Sequence, residues 1–576
     1  MKYLPHELAA VFDRRLGDPH DPLQAFSYAR CADLDEREEF PTEICRLLDE
    51  LGLARHYVPT THGGALDSYE DLAALLRTVA RRDLTVAIAH VSTFLGAASV
   101  WLAGERAQAD RLAAEIHDGS VVSLALTEQQ HGSDLLANRL ATAEGENWYR
   151  VNGEKWLIGN ASRGQFVCVL ARTDPAGGPR GFSLLLIDKR QLAPGSFRCL
   201  PAVRTVGIRG ADISGIEFTE AEIPATAVVG EAGTGLETVL KILQLTRSLC
   251  GPLSLGTGDH ALRLAVRYSL DHLGPADGSP TADRRLTEAY ADLLVAEAVT
   301  LAGIRSIHAL TGELSVVSAA VKCFVPHTVE QLIADLGTAL GAGVFLSRSY
   351  LHGAFQKLER DHHIMSIFDG NTFVNLNALI NQFPQLAVGH RRRKVDESGL
   401  AAAVDLQAEL PPHDGAALEL ISRTGSSLVQ SLPAALTELT ELAARRAVPA
   451  AVGRYADELR EITDELHAAM ADHRPSARDV PPGAFDLARR WTQVFAAAAC
   501  VQLWLRNRDA AADSPTAALW ADGLWLEAGL ARLLAKLRPG VVRDGAVFDR
   551  LSDRLHGQYR DGELFSLLHS RMEETV

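Results

Sequence analysis

The period of the apolar residues changes twice along these 576 residues, and that change limits the fold more than any other feature of the sequence. Up to residue 120 and again from Thr234 onward, apolar residues recur at helical spacing; Leu236, Val239, Leu240 and Leu243 form one such stripe. Between them lie short β-rich segments: VVSLALT, NWYRV, EKWLI, QFVCVLA, GFSLLLID and GIEFTEAEI. Side chains that alternate every second residue bury one face of a strand, so this stretch predicts a compact β-domain. The expected organisation is a helical N-terminal domain (1–120), a middle β-domain (121–232), a helical bundle (233–385), a linker (386–413) and an additional helical domain (414–576). Expected helices include 69–79, started by Asp67 and Ser68, then 85–103, 105–116, 235–270, 281–310, 314–342 and 371–385. Asn152-Gly153, whose two residues both accept positive φ, predicts a two-residue hairpin.

Composition narrows the function. A formal charge of −16 argues against nucleic acid, which needs clustered Lys and Arg to displace counterions. The single basic run, Arg391 to Lys394, reads as a solvated segment. The seven cysteines are scattered and never spaced as CxxC, which fits a reducing cytoplasm and offers neither a zinc site nor a disulfide framework. No apolar stretch has the form of a signal peptide, and 495–505 is too short to span a bilayer, so a cytoplasmic protein without a membrane span is expected. Trp491, Trp504, Trp520 and Trp525 crowd the last segment, where buried core is the first reading and an interaction face the second.

Three stretches place polar residues and glycines where their surroundings are apolar. LALTEQQHGSD (124–134) runs from a strand into a turn, whose Gly132-Ser133-Asp134 offers amides and a hydroxyl to an anion, or is simply a turn. YRVNGEKWLIGN (149–160) carries an indole in a strand. ERDHHIMSIFDGNTFVNLN (359–377) sets a lone carboxylate, Asp369, ahead of a helix; it is either chemical or, with Thr372, a helix cap. GEAGTG (230–235) lacks the strand context of a dinucleotide loop, and neither HExxH nor GxSxG occurs. No metal site is expected.

Taken in order, these stretches resemble the acyl-CoA dehydrogenase and acyl-CoA oxidase superfamily. The resemblance runs over residues 40–385 through LGL and VP…GG (51–64), LTEQQHGSD (126–134), YRVNGEKWLIGNA, TVGIRGADISGIEF (205–218), EIPATAVVGEAGTG (222–235), Thr246-Arg247 and RDHHIMSIFDGNT (360–372). It implies a mainly α fold with a central β-barrel-like domain, FAD as cofactor and an acyl thioester as substrate. By position, Thr127 would hydrogen-bond the flavin and Leu126 would give it main-chain contacts. Ser133 would lie near the FAD pyrophosphate or the substrate's pantetheine, and Leu157, Ile158 and Gly159 would cover one flavin face. Arg247 would serve the substrate side, Asn371 the cofactor, and Asp369 takes the place of the catalytic carboxylate. The implied reaction removes an α-proton to Asp369 and a β-hydride to FAD, with an apolar setting making the carboxylate a better base.

The departures are specific. The usual base is Glu, although nitroalkane oxidases of the superfamily use Asp. Relatives that take the base from the long helix place it at the position of Thr246, which cannot act as one. Leu157 stands at the usual tryptophan position, and Gly159 replaces a threonine that bonds flavin N5. Acyl-CoA oxidases also have glycine there, which would open a path for O₂. The RxxFG arginine and a later glutamine are replaced by YSLDHLG (268–274) and TALGAG (338–343), so adenine contacts and the homodimer or tetramer are the less defined part. The leading expectation is α,β-dehydrogenation of an acyl-CoA or acyl-carrier-protein thioester in specialised lipid or lipopeptide biosynthesis, with electron-transfer flavoprotein as acceptor. An O₂-using oxidase or monooxygenase is the second reading and a flavin-free scaffold the third.

Overall fold

The computed structural model describes residues 3–277, 280–341, 351–474 and 479–573. Residues 342 and 343 of TALGAG, and the side chains of 272–274 in YSLDHLG, lie outside the described part. The architecture is mainly α with one central sheet, as the two changes of period require. The chain forms two compact units, one of residues 30–67 and 83–246, the other of residues 1–29, 68–82 and 247–576.

The first unit holds the sheet. Its strands are β1 (Val122–Ala125), β2 (Ala141–Glu144), β3 (Trp148–Gly159), β4 (Phe166–Arg172), β5 (Phe182–Asp188), β6 (Phe197–Leu200), β7 (Ile213–Pro224) and β8 (Val228–Val229). They run in the order β6-β7-β3-β2-β4-β5-β8, and β1 lies parallel on β4. Strand β4 reads as one continuous apolar run because both its faces are covered. Cys168 and Leu170 face a core with Ala97, Val100, Leu112 and Val239 from helices. Val167 and Val169 face a second core with Val151, Ile158, Ile216 and Phe218.

The expected hairpin at Asn152-Gly153 is not there. Strand β3 continues through both residues, and the bulge opposite them belongs to β7, which advances three residues (Ala221 to Phe218) against two on β3 (Val151 to Gly153). Gly153 takes φ 127°, and a Cβ on it would lie 2.8 Å from the Leu140 Cα. The Asn152 side chain, meanwhile, receives the Glu220 amide at 2.8 Å. The dipeptide therefore serves a close backbone approach within a sheet.

Helix Leu84–Ala103 begins at Asp83, whose carboxylate accepts the Val86 amide. It is long and apolar enough to cross a membrane, but 72% of its most apolar window is buried, as in a core helix.

The second unit is built on helix Pro280–Ala309, which packs against Leu314–Leu340 and also against Glu397–Val404, Pro482–Asn507, Leu524–Leu537 and Ala546–Arg560. Residues 414–576 thus share a compact unit with the bundle. Polar groups join them: Arg532 pairs with Asp292 at 2.7 Å, and Tyr290 donates to Gln558 at 2.6 Å. All four C-terminal tryptophans are at most 2% exposed, so the core reading of them holds. Residues 386–413, expected as a linker, carry most of helices Phe383–Arg392 and Glu397–Val404. Their mixed charge is that of an exposed helix face. The expected helix 371–385 is instead two, Thr372–Ile380 and Phe383–Arg392, the second opened by Pro384 in its first turn.

Candidate functional site: a flavin-type strand pair and a carboxylate loop

In the first unit, the segment after β1 lies against β3. The Trp156 amide donates to the Thr127 carbonyl at 3.0 Å, and the Thr127 hydroxyl donates to the Trp156 carbonyl at 2.6 Å. The hydroxyl's hydrogen is therefore used, and its oxygen remains an acceptor for a ligand N–H. The Leu126 carbonyl is also taken, by Asn138 Nδ2 at 2.8 Å and Lys155 Nζ at 2.9 Å.

Beneath this pair sits a node that motif reading overlooked. Lys155 is fully buried and reaches Glu128 at 3.1 Å, while Glu128 accepts the amides of Arg139 at 2.8 Å and Leu140 at 2.9 Å. Burial pushes the Lys155 ammonium down to about 8, against the pull of Glu128. Burial alone would raise the Glu128 carboxyl; the Leu140 amide, Lys155 and the Arg139 amide hold it below the usual range. The signal was present as Lys155 ahead of the apolar end of β3 and Glu128 just past the end of β1.

Leu157 is the extra residue of a bulge in β3, between Trp156 and Ile158. Its φ of 57° is a costly conformation for leucine, and its side chain is 44% exposed. The bulge turns Leu157 outward and Ile158 into the barrel core, where it is 2% exposed. Ile158 thus leaves only its main chain for a ligand. Gly159 does not leave an open space: a Cβ built on it would lie 2.9 Å from the Ser92 hydroxyl, which donates to the Ile88 carbonyl at 2.9 Å. Ser92, on a helix far away in sequence, could not be seen from the motif. Gly132, Ser133 and Asp134 are exposed, in the turn that follows Thr127 in the chain.

In the second unit, Arg247, Asp369 and Asn371 come together. Arg247 is 7% exposed, and its Nε donates to the Asp369 carbonyl at 2.9 Å. Burial pulls the guanidinium down, and the Asp369 charge opposes that pull. Asp369 has φ 55° and Gly370 φ 86°, so the chain makes a left-handed corner there. A Cβ on Gly370 would lie 3.0 Å from Arg247 Nη2, which explains the glycine. Asp369 does not cap the following helix, and neither does Thr372; the Asn371 side chain does, accepting the Val374 amide at 3.0 Å. That gives Asn371 a structural task besides the ligand role implied for it. Thr246 is buried and donates within its own helix.

Models of the acyl-CoA dehydrogenase N-terminal, middle and C-terminal domains match residues 23–120, 123–221 and 233–382 in that order. This chain belongs to the acyl-CoA dehydrogenase family. FadE25 of Mycobacterium tuberculosis, described as a probable acyl-CoA dehydrogenase, is 27% identical over 376 residues, which is 62% of this chain and 93% of that one. Cyclohex-1-ene-1-carbonyl-CoA dehydrogenase of Geobacter metallireducens is 30% identical over 283 residues, covering 46% of this chain and 74% of its own. Among solved structures, an acyl-CoA dehydrogenase complexed with FAD from Bacillus anthracis superposes with a TM-score of 0.69 at 16% identity. It covers 97% of this chain and 95% of its own, so its fold extends over the C-terminal helices as well. The prolyl acyl carrier protein oxidase AnaB superposes with a TM-score of 0.58 at 18% identity, over 65% of this chain and 97% of its own.

The family's cofactor is FAD, and the first unit suits a flavin. Thr127 keeps an acceptor oxygen, and a bulge offers main chain and an outward Leu157 beside it. An enzyme of this family is an oxidoreductase, which removes the flavin-free scaffold reading. Thr127→Val is expected to weaken FAD retention, since a buried polar edge that loses its partner costs about 1–3 kcal/mol. FAD titration of the apoprotein measures this; unchanged affinity would detach Thr127 from the flavin.

Proposed function

We propose that the protein carries out α,β-dehydrogenation of an acyl thioester with Asp369 as the base that takes the α-proton. The supporting observation is the corner at Asp369: a carboxylate in left-handed backbone, pinned through its own carbonyl by the buried Arg247. Fixing the main chain leaves the short side chain a narrow range of positions, which is what proton transfer at hydrogen-bond distance demands. FAD, when bound, supplies the two-electron chemistry that side chains lack. In the same reading, Thr127 and the main chain at Leu126 and Leu157–Gly159 hold the flavin ring, Ser133 meets the pyrophosphate or pantetheine, and Asn371 lies on the cofactor side. We favour a phosphopantetheinyl carrier in specialised biosynthesis over free CoA, a cytoplasmic setting, and a homodimer or tetramer. All seven cysteines are thiols, in keeping with a reducing compartment.

The test is anaerobic mixing of the FAD enzyme with matched acyl-CoA and acyl-carrier-protein thioesters. Faster flavin bleaching by the carrier-bound chain supports the reading, equal rates remove the carrier preference, and bleaching by neither removes the dehydrogenase assignment.

The oxidase alternative rests on the glycine at 159, as in acyl-CoA oxidases, which removes a hydroxyl and side-chain volume from the flavin N5 side. The Ser92 hydroxyl stands 2.9 Å from where a Cβ on Gly159 would lie. A threonine at 159 alone would collide with the Ser92 hydroxyl, so the informative variant is Gly159→Thr with Ser92→Gly. Reduced wild-type enzyme is expected to reoxidise in air no faster than this double variant. Reoxidation several-fold faster in the wild type, followed by stopped flow, would restore O₂ as the acceptor in place of an electron-transfer flavoprotein.

A further inference from the structure

Lys322 lies in the middle of helix Leu314–Leu340, within the apolar run SVVSAAVKCFV, and is 2% exposed. Its ammonium donates to the Met365 carbonyl at 2.7 Å and to Cys250 Sγ at 3.3 Å, and it lies 4.2 Å from the centre of the Phe368 ring. Among the described residues these are its partners, and none is a carboxylate. Cys250 cannot neutralise it, since burial pushes that thiol up to about 11. Neighbouring His362, which burial pushes down to about 3, stays neutral and adds no second positive charge. A buried cation without an anion costs several kcal/mol, and the core around it would accept a methionine of similar length. The residue is best explained by what it grips.

All of its loop contacts fall on the segment that carries Asp369. Lys322 holds the carbonyl at 365 and the ring at 368, and Arg247 holds the carbonyl at 369. Between these points Ile367 is 61% exposed, while Met365 is buried and the Ser366 hydroxyl donates to Glu330 at 3.0 Å. Two cations from two helices thus clamp both ends of one five-residue stretch, Met365 to Asp369. Cys250, one helical turn after Arg247, ties the Lys322 end of the clamp to the Arg247 helix.

We propose that Lys322 is a positioning residue for catalysis, fixing the Met365–Asp369 segment from below so that the carboxylate is aimed before substrate arrives. This rests on Asp369 being the base. Lys322 holds the segment at a carbonyl and a ring face, so its loss is expected to loosen the loop and to spare the binding surfaces.

The test compares the FAD enzyme with Lys322→Met and Lys322→Arg. Hydrogen–deuterium exchange is expected to rise in 363–371 of Lys322→Met while the rest of the bundle keeps its protection. Flavin bleaching by butyryl-, octanoyl- or palmitoyl-CoA should slow at saturation by roughly 10- to 100-fold, the loss typical of a misplaced reacting group. Half-saturation and the flavin spectrum should not move, and Lys322→Arg should recover part of both effects. Should Lys322→Met fail to fold, Lys322→Gln, a shorter neutral donor, takes its place. Unchanged exchange in 363–371 would overturn the proposal. So would exchange rising evenly through the bundle with arginine no better than methionine, which is a purely structural role. If none of the CoA esters bleaches the wild type, the exchange result decides alone. Asp369→Asn run in parallel separates the two claims. Normal bleaching there defeats the base assignment, whereas a dead Asp369→Asn beside a normal Lys322→Met defeats only the clamp.

Discussion

Asp369→Asn is expected to retain FAD and the fold and to lose substrate-driven flavin bleaching by about 10²–10⁴-fold, the usual contribution of a general base. The substitution is unusually clean here. Asparagine matches aspartate in shape and is among the few residues that accept a left-handed backbone, so φ 55° costs it little. The bond from Arg247 ends on the main-chain carbonyl of 369 and survives the change. The helix start survives too, since Asn371 makes the cap. What is removed is the ability to accept a proton. Anaerobic stopped-flow bleaching with an acyl thioester that reduces the wild type measures it, and a rate within a few-fold of wild type would move the base elsewhere.

Arg305→Ala is expected to destabilise the second unit by about 3–5 kcal/mol, the range for stranding one member of a buried ion pair. Arg305 is 1% exposed and meets both carboxylate oxygens of Glu70, at 2.8 and 2.9 Å. Its remaining N–H groups hold the carbonyls of Ala402, Asp405 and Ala408 at 2.9, 2.8 and 2.7 Å. The Tyr3 hydroxyl donates to the same Glu70 carboxylate, and burial together with that negative charge raises the phenol's pKa. Alanine would leave a buried carboxylate and three carbonyls without their cation. Urea unfolding followed by circular dichroism gives the loss. Arg305→Met combined with Glu70→Leu should recover a good part of it, because removing both charges removes the stranded one. A double variant as unstable as Arg305→Ala would show that the three carbonyls, and not the pair, carry the effect.

Much of the molecule was legible from periodicity. The sheet between two helical blocks followed from apolar residues spaced by two and then by three to four, which local backbone geometry enforces wherever the chain is placed. The order of short motifs pointed to the family, and Thr127, Arg247 and Asp369 were each named by position. Asn152-Gly153 shows where local reading stops. The same dipeptide suits a hairpin or the interior of a strand, where Gly153 lets Leu140 approach closely. Leu157 and Ile158 are adjacent in the motif, yet the bulge sends one outward and the other into the core.

What the sequence determined by itself was therefore the kind of element at each place and the residue types offered to the chemistry. The tertiary structure decided which groups are spent and which remain available. Asn371 is taken as a cap, the Thr127 hydrogen is taken by Trp156, and the space at Gly159 is filled by Ser92. Lys155 and Lys322 look like stray cations in apolar runs until the chain is folded. They then prove to be tied to Glu128 and to the Met365 carbonyl. The physical reason is range: periodicity and turn preference act between residues a few positions apart, whereas burial, desolvation and hydrogen-bond competition depend on neighbours that only folding brings near.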